Sequence, residues 1–378
     1  MTVTVAIDSF KGSLTTFEAG ESAKAGILRA CPSARVCVVP LADGGEGTAE
    51  TLTRALGGEW VSAQVTGPLG EPTNARYGIA GDVALMEMAQ ASGLTLVPSG
   101  KLDPASATTL GVGEMILDAL SRGCRSFVMG IGGSATNDGG MGMLQALGVR
   151  FEDENGQPLP CRGDSLGKIK KIDITGINPL LKDCDFRIAC DVKNPLCGDS
   201  GCSAVFGPQK GIAPDEVPLW DGWMADYAQC VQSVNPDADP LAQGAGAAGG
   251  LGFAFLSFTR ARLVSGIDLV MQTVGLEERI RDSDLVITGE GRLDGQSCMG
   301  KAPSGVAALA LKYNKPCVAL SGAVTEDAVD CNERGIDAFF SILRSACTLE
   351  QAMEKETAKA NLSATAEQVI RLYMAAKR

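Results

Sequence analysis

The 378-residue chain contains no histidine. That absence excludes Ser-His and Cys-His nucleophile pairs and His-ligated metals, so proton transfer has to use Asp, Glu, Lys, Tyr, Cys or water. No G-x-x-x-x-G-K-[ST] loop, protein-kinase signature set or G-x-S-x-G elbow occurs. The first strand-like run is not followed by G-x-G-x-x-G, which leaves a dinucleotide site unsupported. No run of about 18 apolar residues is present, so no membrane-spanning helix is expected. The opening M-T-V-T-V-A-I-D lacks a basic n-region and a long apolar stretch, so no signal peptide is expected. Basic clusters are missing and the net charge is -12, which argues against nucleic acid or an anionic membrane as partner. The thirteen cysteines include no C-x-x-C. An odd count without a framework reads as free thiols in a reducing cytoplasm.

What is there is ordinary globular material, 45% hydrophobic and 21% charged. At about 150 residues per domain the length favours two domains. Residues 2–7 and 35–41 read as strands, each followed by a helical pattern, over 16–31 and 48–56. Thr15 and Glu18 have capping-box spacing. This rhythm predicts a parallel sheet with crossover helices. After residue 58 it changes. Residues 60–66, 73–79 and 83–89 are short strand-like runs separated by Gly-Pro and Ala-Gly-Asp turns, which predicts a hairpin or meander. The simple rhythm returns near residue 284. The expected fold is therefore α/β with two domains. Residues 1–58 and 281–378 form a Rossmann-like or flavodoxin-like parallel-sheet domain, and residues 59–280 form an inserted α/β domain with a mixed sheet.

The most informative segment is G-I-G-G-S-A-T-N-D-G-G-M-G at 130–142, with six glycines among its thirteen residues. It lies between an apolar run and a helix-like run. Such a junction exposes backbone N–H groups beside a helix N-terminus, a setting that suits phosphate. A short echo, D-G-G-x-G, occurs at 43–47 and again at 138–142. Three further segments end strands of the first domain, where open parallel sheets bind ligands. D-S-F-K-G-S-L (8–14) offers Asp8, Ser9, Lys11 and Ser13 to an anion or a hydroxy acid. A-D-G-G-E-G-T (42–48) offers Asp43 and Glu46 as metal ligands or proton acceptors, although Asp43 and Thr48 serve equally well as helix caps. T-G-E-G-R-L-D-G-Q-S (288–297) offers Arg292 as a bidentate partner for carboxylate or phosphate, and Glu290 and Asp294 as oxygen ligands for Mg²⁺. In the inserted region, C-D-V-K-N-P (190–195) carries Asp191 and Lys193, and F-G-P-Q-K-G (206–211) carries Lys210. Asp191 offers a base or a metal ligand and Lys193 and Lys210 offer charge to phosphates, although each alone reads more readily as a surface turn.

Taken with V-T-G-P-L-G (65–70), E-M-A-Q-A-S-G-L (87–94) and G-A-G-A-A-G-G-L-G (244–252), these motifs span most of the chain in one order. In that order they resemble the bacterial glycerate kinases of the 2-phosphoglycerate-forming type. Phe10, Gly12 and Gly295 stand where some members of that family carry Tyr, Glu and Ser, and the charged positions are intact. The resemblance implies two α/β domains around a cleft and ATP-dependent, Mg²⁺-assisted phosphorylation of D-glycerate. Phosphoryl transfer relies on positioning and charge neutralisation, which suits a chain without histidine.

Within that resemblance, Gly132, Gly133, Ser134, Thr136, Asn137 and Asp138 are expected to hold ATP phosphates. Asp8, Ser9, Lys11, Ser13, Lys193 and Arg292 are expected to meet substrate, with Lys11 and Arg292 on the carboxylate or the transferring phosphoryl group. Asp191 or Asp43 is the expected base, Asp191 slightly preferred, and Glu290 and Asp294 are the expected Mg²⁺ ligands. A hinge between the domains would suit closure over substrate. A homodimer stays open. Two other readings are a NAD-dependent hydroxy-acid dehydrogenase and a non-catalytic sensor of organic acids.

Overall fold

The computed structural model describes residues 1–42, 45, 47–295, 297 and 301–377. It divides into two compact units, Met1–Asp43 with Val270–Arg378, and Gly44–Leu269.

The first unit is built on a five-stranded sheet, ordered Ala338–Ser341, Cys317–Ser321, Leu285–Gly289, Thr2–Ile7, Arg35–Val38, with every pair parallel. Val3, Val5 and Ile7 alternate along strand Thr2–Ile7 and pack with Leu285 and Ile287 of the central strand into one core. Helices Thr16–Ala30 and Lys355–Ala376 complete that core through Ala19, Ala23, Ile27, Leu362, Ala366 and Ile370. The capping box is present: Glu18 N donates to Thr15 Oγ1 at 3.2 Å and Thr15 N donates to Glu18 Oε2 at 3.1 Å. The two helices cross closely at Gly26, where a Cβ would lie 1.9 Å from Ser363 O.

The second unit carries a six-stranded mixed sheet, ordered Arg262–Val264, Asp185–Ala189, Ser126–Gly130, Val83–Glu87, Pro72–Ala80, Glu59–Thr66. The first four strands are parallel, and the last two form the expected antiparallel meander with Thr66 opposite Pro72. Phe127 and Phe186 stack at 4.6 Å between centroids in its core.

Helix Thr48–Ala55, grouped by the sequence rhythm with the first sheet, packs instead on strands Pro72–Ala80 and Val83–Glu87. Gly78 makes room for it, since a Cβ there would lie 1.7 Å from Thr53 Oγ1. Helix Leu276–Arg281 packs against Ala302–Lys312 in the first unit. The units therefore part at other residues than 58 and 281. No helix among the described residues is long and apolar enough to cross a membrane. Eleven described cysteines are free thiols, but Cys331 is disulfide-bonded, which corrects the expectation of free thiols throughout.

Candidate functional site

In the first unit, four parallel strands deliver their carboxyl ends to one edge of the sheet, and a cavity of about 590 Å³ opens there. Strand Thr2–Ile7 supplies Asp8, Ser9, Lys11 and Ser13, and strand Leu285–Gly289 supplies Glu290, Arg292 and Asp294. Strand Cys317–Ser321 leads to Gly322, Ala323 and Thr325, and strand Ala338–Ser341 to Ile342 and Leu343. A tight turn shapes the first loop: Ser13 N donates to Phe10 O at 2.7 Å and Phe10 N donates to Leu14 O at 2.8 Å. Gly12 at φ +80° permits that turn. The loops Glu290–Asp294 and Gly322–Thr325 are tied by Ala323 N donating to Gly291 O at 3.0 Å.

The charges of this cavity are mixed. Arg292 Nε and Lys301 Nζ each lie 3.8 Å from the Asp294 carboxylate. Asp294 Oδ1 also accepts from Ser297 N at 3.0 Å and from Ser297 Oγ at 3.1 Å. Among the described residues, the buried Glu290 Oε1 has no hydrogen-bond partner. Burial holds the Glu290 carboxyl above its ordinary range, with Asp8 and Asp294 adding repulsion and Ser297 and Lys301 opposing. Asp8, Ser9, Lys11, Ser13, Glu290, Arg292 and Asp294 are thus brought together.

The second unit has a smaller cavity of about 250 Å³ at the carboxyl ends of strands Ser126–Gly130 and Asp185–Ala189. Gly132, Gly133, Ser134 and Asp191 line it, together with Gln209 and Lys210. Open space surrounds the place where a Gly132 Cβ would be. Asp191 is exposed, and its Oδ1 accepts from Gly266 N at 2.9 Å. Lys193 is exposed and is not among the lining residues.

The structure differs from expectation over 136–138. Thr136, Asn137 and Asp138 are fully buried. Asp138 Oδ2 accepts from Thr109 N at 2.8 Å, Thr109 Oγ1 at 2.8 Å and Gly142 N at 3.2 Å, while Oδ1 accepts from Gly140 N at 3.1 Å. The start of helix Met141–Ala146 is therefore satisfied from inside by a carboxylate, and the anion cradle expected there is already filled. Burial raises the Asp138 carboxyl, and these donors pull it back. Segment 247–250 closes over this loop. A Gly249 Cβ would lie 2.1 Å from Thr136 O, so backbone meets backbone. The remaining expected residue, Asp43, lies outside the described residues.

From sequence, Lys210 reads as a phosphate contact or, more readily, as a surface-turn lysine. It is 2% exposed, and its Nζ donates to Thr136 O at 2.7 Å. Burial pulls its ammonium down to about 8, with Cys202 and Asp138 opposing. Its motif F-G-P-Q-K-G was visible, but nothing local signals that the side chain runs inward. Lys301 was likewise missed, because it follows the strand-end motif by several residues.

A family model described as the glycerate kinase family matches residues 3–374. The chain is 48% identical to the glycerate 2-kinase of Escherichia coli (strain K12) over 355 residues, 93% of each chain. It is 43% identical to a glycerate kinase of Haemophilus influenzae over 379 residues, 98% of each. A solved structure described as a glycerate kinase 2 of Salmonella typhimurium LT2 superposes with a TM-score of 0.90 at 43% identity, covering 100% of this chain and 99% of that one. With the family matched across nearly its whole length, the chain belongs to the glycerate kinase family.

Proposed function

We propose that this protein is a glycerate 2-kinase, transferring the γ-phosphoryl group of ATP to the 2-hydroxyl of D-glycerate. The observation that carries this reading is the 48% identity to a glycerate 2-kinase over 93% of both chains. The site chemistry supports it. Transfer forms a bond from the 2-oxygen to the γ-phosphorus, breaks the bond to the β–γ bridging oxygen, and releases ADP and a proton. Asp191 orients the hydroxyl and takes that proton. Lys210 and the backbone of Gly132, Gly133 and Ser134 neutralise and orient the glycerate carboxylate in the small cavity. Lys11, Arg292 and Lys301 balance the charge of the triphosphate in the larger one, where Asp8, Ser9 and Ser13 add hydrogen bonds.

Among the described residues no group of three His, Cys, Asp or Glu side chains is placed to hold a metal. Magnesium asks for less, since one or two carboxylates suffice when substrate phosphates and water complete its shell. The buried Oε1 of Glu290, which has no hydrogen-bond partner among the described residues, fits that demand. Glu290 and Asp294 would hold the ion, and its charge would neutralise the developing charge on the phosphates. ATP as donor makes the cytoplasm the site of action.

The test is a coupled ADP-release assay with D-glycerate, followed by ³¹P NMR of the product. ADP release with 2-phosphoglycerate is the expected result. Product phosphorylated at the 3-position, or no turnover, overturns the reading.

A further inference from the structure

We propose that the apolar wall of the first unit's cavity is the subsite for the base of the nucleotide. The inference rests on the kinase reading and goes further by stating which surface takes which end of the donor. A cavity of about 590 Å³ lies within the usual range for drug-sized ligands, about 300–1,000 Å³, whereas glycerate has only about seven non-hydrogen atoms. The lining is divided in chemistry. Lys11, Arg292 and Lys301 provide cations, while Ile342, Leu343, Leu349, Ala352 and Met353 provide a purely aliphatic and thioether surface. A ligand that matches both has a flat apolar end and a polyanionic end, which is the make-up of a nucleoside di- or triphosphate.

The wall is also preformed. Leu349, Ala352 and Met353 belong to the short helix Leu349–Met353. A capping box holds its first turn: Gln351 N donates to Thr348 Oγ1 at 3.2 Å and Thr348 N donates to Gln351 Oε1 at 3.1 Å. The long helix Lys355–Ala376 follows it after one residue, with the Glu354 side chain accepting from Glu356 N and Thr357 N at the junction. Leu349 is nevertheless 75% exposed, and Leu343 and Met353 are also exposed. Apolar side chains held at the mouth of a cavity with cations in its lining await an apolar ligand group.

The test uses the full chain and reads binding directly, apart from turnover. ADP and inorganic tripolyphosphate are titrated calorimetrically into the wild type, Leu349→Ser and Met353→Gln, with thermal melts to establish folding. Leu349 is largely exposed, so its variant keeps the fold. The expected result is ADP binding weakened about tenfold in each variant, with tripolyphosphate binding unchanged. Unchanged ADP affinity in a folded variant overturns the assignment, as does equal weakening of both ligands. Loss of a concentration-dependent dimer with ADP affinity intact also overturns it and gives the wall to a second copy of the chain. A wild type that shows the ADP difference but fails to phosphorylate glycerate would sink the kinase reading and leave the base subsite standing.

Discussion

Lys210 Nζ donates to Thr136 O at 2.7 Å, so the one ammonium among the described residues of the small cavity's lining is anchored on the glycine-rich loop beside it. The contact fixes the side chain without neutralising it, because the acceptor is a carbonyl. Lys210→Met should raise KM for D-glycerate by about 10- to 100-fold, as loss of a charge-assisted contact of about 1.5–3 kcal/mol requires. KM for ATP should stay unchanged. Steady-state kinetics with each substrate varied in turn checks this.

The same lysine sets a pH dependence. Burial on folding pulls its pKa from the ordinary lysine value of 10.5 down to about 8. Between those values the unfolded chain holds a proton that the folded chain has released, so stability rises with pH across that window. It is lost again as pH falls through about 8. Glycerate binding runs the other way, weakening as the ammonium deprotonates above about 8. Melting scans and glycerate KM on both sides of that pH should show opposite slopes, and Lys210→Met should flatten both.

Asp138→Asn should act on stability rather than on nucleotide affinity. Replacing Oδ1 by an amide would set an N–H against the Gly140 N–H, and replacing Oδ2 would do so against Thr109 and Gly142. A buried donor left without an acceptor costs about 1–3 kcal/mol. Chemical denaturation should show that loss, while KM for ATP in the folded fraction stays close to wild type. A large rise in that KM at unchanged stability would restore a direct nucleotide contact.

Asp191→Asn should lower kcat by about 10²–10⁴, the usual weight of a general base. Its side chain is exposed and holds Gly266 N through one oxygen, which an asparagine can retain. Unchanged melting with near-normal kcat would remove Asp191 from the base role.

Glu290→Gln should raise the Mg²⁺ concentration needed for half-maximal activity by about tenfold or more, as loss of an oxygen ligand implies. Melting temperature should hold or rise, since a buried carboxyl whose Oε1 has no partner among the described residues is replaced by a neutral amide. An unchanged Mg²⁺ requirement would take Glu290 out of the metal's shell.

Much of the scaffold was legible in short-range pattern. The Thr15–Glu18 capping box, the βα rhythm of the first unit and the meander of residues 59–87 all appear in the structure. Strand-end motifs were legible for the same reason, because a parallel sheet brings the residues after each strand to one edge. That is why Asp8, Lys11, Glu290, Arg292 and Asp294 share a cavity although 275 or more residues separate the two loops.

The sequence by itself determined the chemistry available: no histidine, no Walker A lysine, and carboxylates, cations and glycines at strand ends. Its family motifs pointed to glycerate kinases, a membership that the family match establishes. Only the tertiary structure decided which of those groups face a cavity. Asp138 sits in a glycine-rich loop that reads as an open phosphate cradle, and Lys210 in a glycine-proline turn. Their partners are remote in the chain, Thr109 for Asp138 and Thr136 for Lys210, and the distant segment 247–250 packs on the loop at Thr136. The apolar wall of Ile342 to Met353 likewise gains meaning only beside Lys11 and Arg292. Periodicity and turn chemistry act over a few residues, whereas burial and shared cavities depend on which distant segments the folded sheet brings together.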